Sequence, residues 1–163
     1  SESSGILATG KRIHRSAMFA DYDNDGKIDM FVTVNGQQIE DGKGNTIFDP
    51  NQGKGILLKN KSRSNNSWVT VRLEGNKSNR DGFGALVTVQ TNKTEQRQSL
   101  VSGQGYFSNH AKELYFGLGK SKIIDSIEVK WPSGLKQTFK EISPNQTVYI
   151  LEGDSNYLRV KSH

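Results

Sequence analysis

Four aspartates recur in the segment Asp21-Tyr22-Asp23-Asn24-Asp25-Gly26-Lys27-Ile28-Asp29, at its first, third, fifth and ninth positions. Two carboxylates about 4 Å apart repel by roughly 1 kcal/mol even at the dielectric of water. Several converging in one tight loop therefore imply a bound counter-charge. Calcium suits such a loop because it accepts about six to eight hard oxygens with tolerant geometry, whereas magnesium gives up its waters reluctantly. Gly26 allows the sharp turn that lets the Lys27 carbonyl join the carboxylates. The expected cofactor is Ca2+, held by Asp21, Asp23, Asp25, Lys27 and Asp29. An EF-hand would need a glutamate at the twelfth position of the loop, which here is Val32. The flanks, 18–20 and 30–34, read as strands, so the predicted site is strand–loop–strand.

The elements that must carry this loop are strands throughout. Helical periodicity is nearly absent, while short runs of period-two alternation separated by Gly, Asn, Asp or Ser recur from end to end. Strands are expected over 17–20, 28–34, 55–59, 68–73, 85–91, 96–101, 113–116, 124–131, 137–142 and 147–151, with 157–160 a candidate for one more. Val69, Val71 and Leu73 share one face of their strand, as do Ala85, Val87 and Val89, and later Ile127, Val129 and Trp131. Those faces predict a core. From Asn35 to Lys54 the chain is rich in Gly, Asn and Asp and poor in apolar residues, which predicts a long loop. It divides the chain into a partial β unit over 1–53 and a β-sandwich over 54–163, with strands spaced as a sandwich requires. The expected class is all-β.

Several motifs bear a resemblance to known families. Phe19-Ala20-Asp21-Tyr22-Asp23-Asn24-Asp25-Gly26, continuing to Asp29-Met30-Phe31-Val32, resembles the FG-GAP (integrin-type) propeller repeat, whose calcium ligands fall on the residues already named. Downstream, Asn65-Asn66-Ser67-Trp68, Leu73-Glu74-Gly75, Ser78-Asn79-Arg80-Asp81-Gly82-Phe83-Gly84-Ala85, Gly103-Gln104-Gly105-Tyr106, Leu114-Tyr115-Phe116-Gly117-Leu118-Gly119 and Val129-Lys130-Trp131-Pro132-Ser133-Gly134 together resemble the ASPIC/UnbV domain. That resemblance runs from Gly55 to Gly153. It implies a domain that follows FG-GAP repeats in cartilage acidic protein-like and bacterial surface or secreted proteins, without a general enzymatic activity. A propeller needs about four blades or more, and a single aspartate loop is present, so the lone repeat is completed by a longer chain or by something else.

Composition narrows the alternatives. The absence of cysteine among the 163 residues excludes disulfides, thiolate metal sites and cysteine nucleophiles. A net charge of +5 comes from 22 basic against 17 acidic residues, but the basic residues form no dense run or nucleic-acid motif, so a solvated lysine-rich surface is expected and no nucleic-acid partner. No apolar run approaches membrane-spanning length and no apolar leader follows the N-terminus, predicting a soluble chain in mature or excised form. Gly5 to Arg12 nearly spells a phosphate-binding loop, yet Arg12 stands where Ser or Thr is required. Three histidines and no serine in a nucleophile elbow leave little for a hydrolase, and the chain is expected not to be an enzyme. Sequons begin at Asn60, Asn65, Asn76, Asn92 and Asn145, which an asparagine-rich sequence also produces by chance.

Two further features bear on partners. Trp131-Pro132-Ser133-Gly134 reads first as a turn between strands. The alternative places Trp131, Tyr106 and Phe107 beside Arg80, Asp81 and Gln104 as an aromatic and polar ligand patch suited to a sugar ring or a protein. Gly5 to Ile13 could add as a strand to a neighbouring copy. The leading expectation is a non-catalytic, secreted or cell-surface calcium-binding β-module for adhesion or protein interaction. The rivals are a homopolymeric filament subunit and a carbohydrate-binding accessory module.

Overall fold

The structure, a computed structural model, describes residues 12–49 and 53–160. Gly5 to Lys11, which carry most of the near-phosphate loop and of the proposed exchange strand, lie outside the described residues. Those described form twelve strands and no helix, so the molecule is all-β as the alternation predicts. They divide into two compact units. The first holds the described residues within Ser1–Tyr22, Ile28–Lys61 and Gly103–Ala111; the second holds those within Asp23–Lys27, Ser62–Ser102 and Lys112–His163.

The first unit is built on β1 (Arg12–Ala20), β2 (Asp29–Glu40), β3 (Thr46–Asp49) and β4 (Ile56–Leu58). Strand β2 is its axis. It runs antiparallel to β1, takes β4 along its first residues (Met30 opposite Leu58) and β3 along its last (Glu40 opposite Thr46). Val32 and Val34 point inward and are buried. The strand expected to open the second unit, 55–59, thus pairs with β2.

The long loop expected over 35–54 is corrected. Strand β2 continues to Glu40 and β3 returns alongside it. Asp41 closes the turn. Its N–H donates to the Asn45 carbonyl at 2.8 Å, and its Oδ1 accepts the Lys43 and Asn45 N–H groups at 2.9 and 2.8 Å. Its Oδ2 accepts Asn45 Nδ2 at 3.0 Å. The Asn45 side chain foremost, then the backbone N–H groups of Asn45 and Lys43, hold the Asp41 carboxyl below its usual range. Ile39 and Ile47 are exposed on this hairpin, so these two apolar residues supply no inward stripe for an alternating pattern to report.

The second unit contains β5 (Ser67–Glu74), β6 (Leu86–Gln90), β7 (Glu95–Ser99), β8 (Glu113–Gly119), β9 (Ile124–Lys130), β10 (Lys136–Ile142), β11 (Gln146–Leu151) and β12 (Leu158–Val160). One sheet has the order β10-β9-β6-β7 and the other β12-β11-β5-β8. All pairings are antiparallel except β5 with β11, which run parallel. The predicted faces meet in one core. Val69, Val71, Phe116, Val148 and Ile150 come from one sheet, and Val87, Val89, Ile127 and Val129 from the other. Two sheets over a shared apolar layer are consistent with a β-sandwich. Burying such side chains, at roughly 1.5–3 kcal/mol each, is what holds the unit together.

Candidate metal centre and a polar lock

The loop between β1 and β2 brings three of its aspartates together. One carboxylate oxygen from each of Asp21, Asp23 and Asp29 lies within 4.8 Å of the others. Asp21 is 7% exposed and Asp29 2%, and Asp23 Oδ1 is withdrawn from solvent. Asp29 is aimed by backbone: its Oδ1 accepts the Asn60 N–H at 2.7 Å and its Oδ2 the Tyr22 N–H at 3.4 Å. Asn60 Nδ2 donates to the Ile28 carbonyl at 3.2 Å, tying the chain after β4 to the loop's end. Asp25 is outside this trio. Its Oδ1 accepts the Lys27 N–H at 2.9 Å and its Oδ2 pairs with Lys27 Nζ at 2.8 Å. The trio could hold a metal ion: three hard anionic donors with no thiolate or imidazole among them suit a hard divalent cation.

Gly26 decides the path of this loop. Its φ is +82°, and a Cβ there would lie 2.0 Å from Trp68 Nε1 and 2.2 Å from Cε2. Asn24 also has positive φ, at 57°. The Gly26→Ala substitution is expected to destabilise by about 2 kcal/mol, from backbone strain and displacement of the indole together. A lower urea midpoint with altered Trp68 emission would register it, and an unchanged midpoint would contradict the contact.

Trp131 is not available to the proposed ligand patch. Trp131 is 2% exposed, a core residue whose Nε1 donates to Gln137 Oε1. Its segment forms the turn that the primary reading predicts, with the Gly134 N–H donating to the Trp131 carbonyl at 2.9 Å. Arg80, 87% exposed, lies 3.7 Å from Glu74, while Asp81 pairs with Lys112 at 2.7 Å. Arg80 and Asp81 therefore stabilise different neighbours. Gln104 and Tyr106 belong to the Gly103–Ala111 segment of the first unit and are exposed. That segment lies along β1: the Ala111 N–H donates to the Phe19 carbonyl at 3.2 Å, and the His110 ring meets Phe19 edge-on at 5.1 Å.

A buried glutamate that sequence reasoning missed closes the second unit. Glu152 is 3% exposed. Its Oε2 accepts the N–H groups of Asn76, Lys77 and Ser78 at 2.8, 2.8 and 2.7 Å. Its Oε1 accepts the Ser78 and Ser133 hydroxyls, the former at 2.9 Å. Burial would raise its pKa, but the Ser133 hydroxyl and the Ser78 and Asn76 amides outweigh that and pull it down to about 2. Three successive amides converging on one oxygen form an anion nest, filled here by the chain's own carboxylate. Gln137 continues the lock, accepting the Gly153 N–H at 3.1 Å and donating to the Leu151 carbonyl at 3.1 Å. No short-range motif announces it, because the amides are more than seventy positions from Glu152.

Fold and lock together define an all-β module whose two-sheet unit is stitched between the turn after β5 and the end of β11. The chain matches the family described as ASPIC and UnbV over residues 75–157, just over half of its length. It belongs to that family. The match takes in the Asn76 to Ser78 nest, Trp131, Gln137 and Glu152, and begins beyond the aspartate loop. A comparison with curated proteins found no match. No helix among the described residues is long and apolar enough to cross a membrane.

Proposed function

We propose that the chain is a non-catalytic, calcium-binding β-module of a secreted or cell-surface protein, used for adhesion or protein interaction. The observation that carries the metal reading is the convergence of Asp21, Asp23 and Asp29 within 4.8 Å, two of them buried. Burying carboxylates beside one another is costly unless a cation offsets it. Three carboxylates supply up to about six oxygens if each binds through both, and the Lys27 carbonyl, Asp25 or water would complete the shell of calcium. The strand–loop–strand setting supports the FG-GAP resemblance, with β1 and β2 as the two strands. Interaction with a protein partner is supported by an apolar groove of the first unit, where Phe19, Tyr22, Phe31 and Leu57 remain exposed.

Calorimetric titration of the metal-free chain with calcium tests this. One site is expected, with magnesium binding at least about tenfold more weakly because it resists dehydration. Absence of a calcium isotherm at millimolar concentrations would reject the metal reading.

A further inference from the structure

Strand β8 ends one sheet of the second unit and β7 ends the other. Side chains, not a backbone ladder, join the two. Gln96 and Gln98 stand opposite Val89 and Val87 in the register of β7 with β6, so both face the core side of their sheet. From there they reach the edge of β8: Gln98 Nε2 donates to the Tyr115 carbonyl at 2.8 Å and Gln96 Nε2 to the Gly117 carbonyl at 2.6 Å. Alternate residues of an antiparallel strand turn their backbone groups to the same side. Tyr115 and Gly117 therefore turn theirs away from β5 and form the outer edge of β8. The two glutamine amides, two positions apart, stand where the N–H groups of an added strand would stand. The other edge strands are protected in ordinary ways. Strand β10 carries exposed Lys136 and Lys140, β7 carries Glu95 and Arg97, and β12 has three residues. Strand β8 has no charge from Leu114 to Gly119, so its edge suits pairing with another chain.

We propose that the edge of β8 is a strand-pairing surface for a second copy of this chain, and that Gln96 and Gln98 hold it closed. Two β8 strands can pair antiparallel about a two-fold axis, so one surface serves both copies. A register centred on Phe116 sets Tyr115 opposite Gly117 of the second copy, and Gly117 opposite Tyr115 of the second copy. In each pair both residues turn their backbone groups to the shared edge, so each exchanges two hydrogen bonds. The side chains fit the same register. Nothing lies within 4 Å of where a Cβ on Gly117 would be, which leaves its surface open to the facing tyrosine ring. An aromatic side chain across from a strand glycine is a favourable cross-strand pair. A glutamine amide satisfies one carbonyl, whereas an arriving strand brings acceptors as well as donors. Closure thus depends on Gln96 and Gln98 being tethered in place. The inference involves neither the aspartate loop nor a bound metal.

The test is light scattering of the full chain across a concentration series, wild type beside the double variant Gln96→Ala/Gln98→Ala. The double variant is expected to dimerise at least about tenfold more tightly than wild type, because its β8 carbonyls no longer have to be released from the glutamines. Adding Gly117→Pro to the double variant should return it to monomer. The Gly117 N–H points away from β5, so proline there blocks the new pairs and spares the existing ladder, and its ring has room. Circular dichroism melting reports whether each variant is folded. Gln98→Ala alone should move the dimerisation constant in the same direction by less, and it carries the test if the double variant does not fold. A folded double variant that associates no more tightly than wild type, or one whose association survives Gly117→Pro, would overturn the proposal.

Discussion

Replacing Glu152 by alanine is expected to cost the two-sheet unit about 3–5 kcal/mol, enough to remove much of the stability of an ordinary domain. The magnitude follows from what is left behind. The amides of Asn76, Lys77 and Ser78 lose their shared acceptor at once, and the Ser78 and Ser133 hydroxyls lose theirs. Each buried donor left without a partner costs about 1–3 kcal/mol, though the terms do not add because water enters part of the gap. Glu152→Gln separates charge from shape. It keeps one acceptor oxygen but turns an NH2 group toward donors, so about half the loss is expected.

The same residue sets an acid limit. Its pKa is lowered from 4.5 to about 2, so the native state prefers the ionised form more strongly than the unfolded chain does. The corresponding stabilisation, about 3 kcal/mol, is fully present above the unfolded value and lost as pH falls from about 5 through the folded value near 2. Urea titrations across that interval should show wild-type stability falling more steeply than that of Glu152→Gln. Parallel pH dependences for the two proteins would show that the carboxylate is not held as the geometry implies.

How much of the fold is legible in the sequence depends on the range of the interaction. Val69, Val71 and Leu73 alternate along a strand with a core face, and that local pattern is enough to mark β5. The strand at 46–49 is hidden for the converse reason: Ile39 and Ile47 face solvent, and Asp41 and Asn45 close the hairpin's turn. Three of the loop aspartates converge as their spacing suggests, since a nine-residue loop brings its own residues together. Asp25 does not join them, because Lys27 lies close enough to take both its oxygens. Trp131 is legible from alternation: it continues the inward face of Ile127 and Val129, as the period-two pattern predicts, and is buried with them, so only its alternative reading as a ligand-patch residue fails. Glu152 is beyond the reach of local pattern, since its partners at 76–78 and 133 are brought near only by the parallel pairing of β5 with β11 and the turn after β9.

Calcium should raise the melting temperature of the chain, and the Asp23→Asn variant should reverse sign between the two conditions. At free calcium about a hundredfold above its dissociation constant, binding adds about 2.7 kcal/mol to the folded state. Asparagine at position 23 removes one anionic donor and with it most of that increment, so in calcium the variant melts below wild type. In chelator the order changes. Carboxylates brought within 4.8 Å of one another repel, and more strongly where Asp21 and Asp29 are buried than in water. Removing one charge relieves that repulsion, so without metal the variant should equal or exceed wild type. Asp29→Asn would not isolate this effect, because Asp29 also accepts the Asn60 N–H at 2.7 Å and its loss weakens the loop whether or not metal is bound. A purely structural aspartate at position 23 would make the variant less stable than wild type by the same amount in calcium and in chelator. Crossing melting curves therefore require a cation among these three side chains, and parallel ones would remove it.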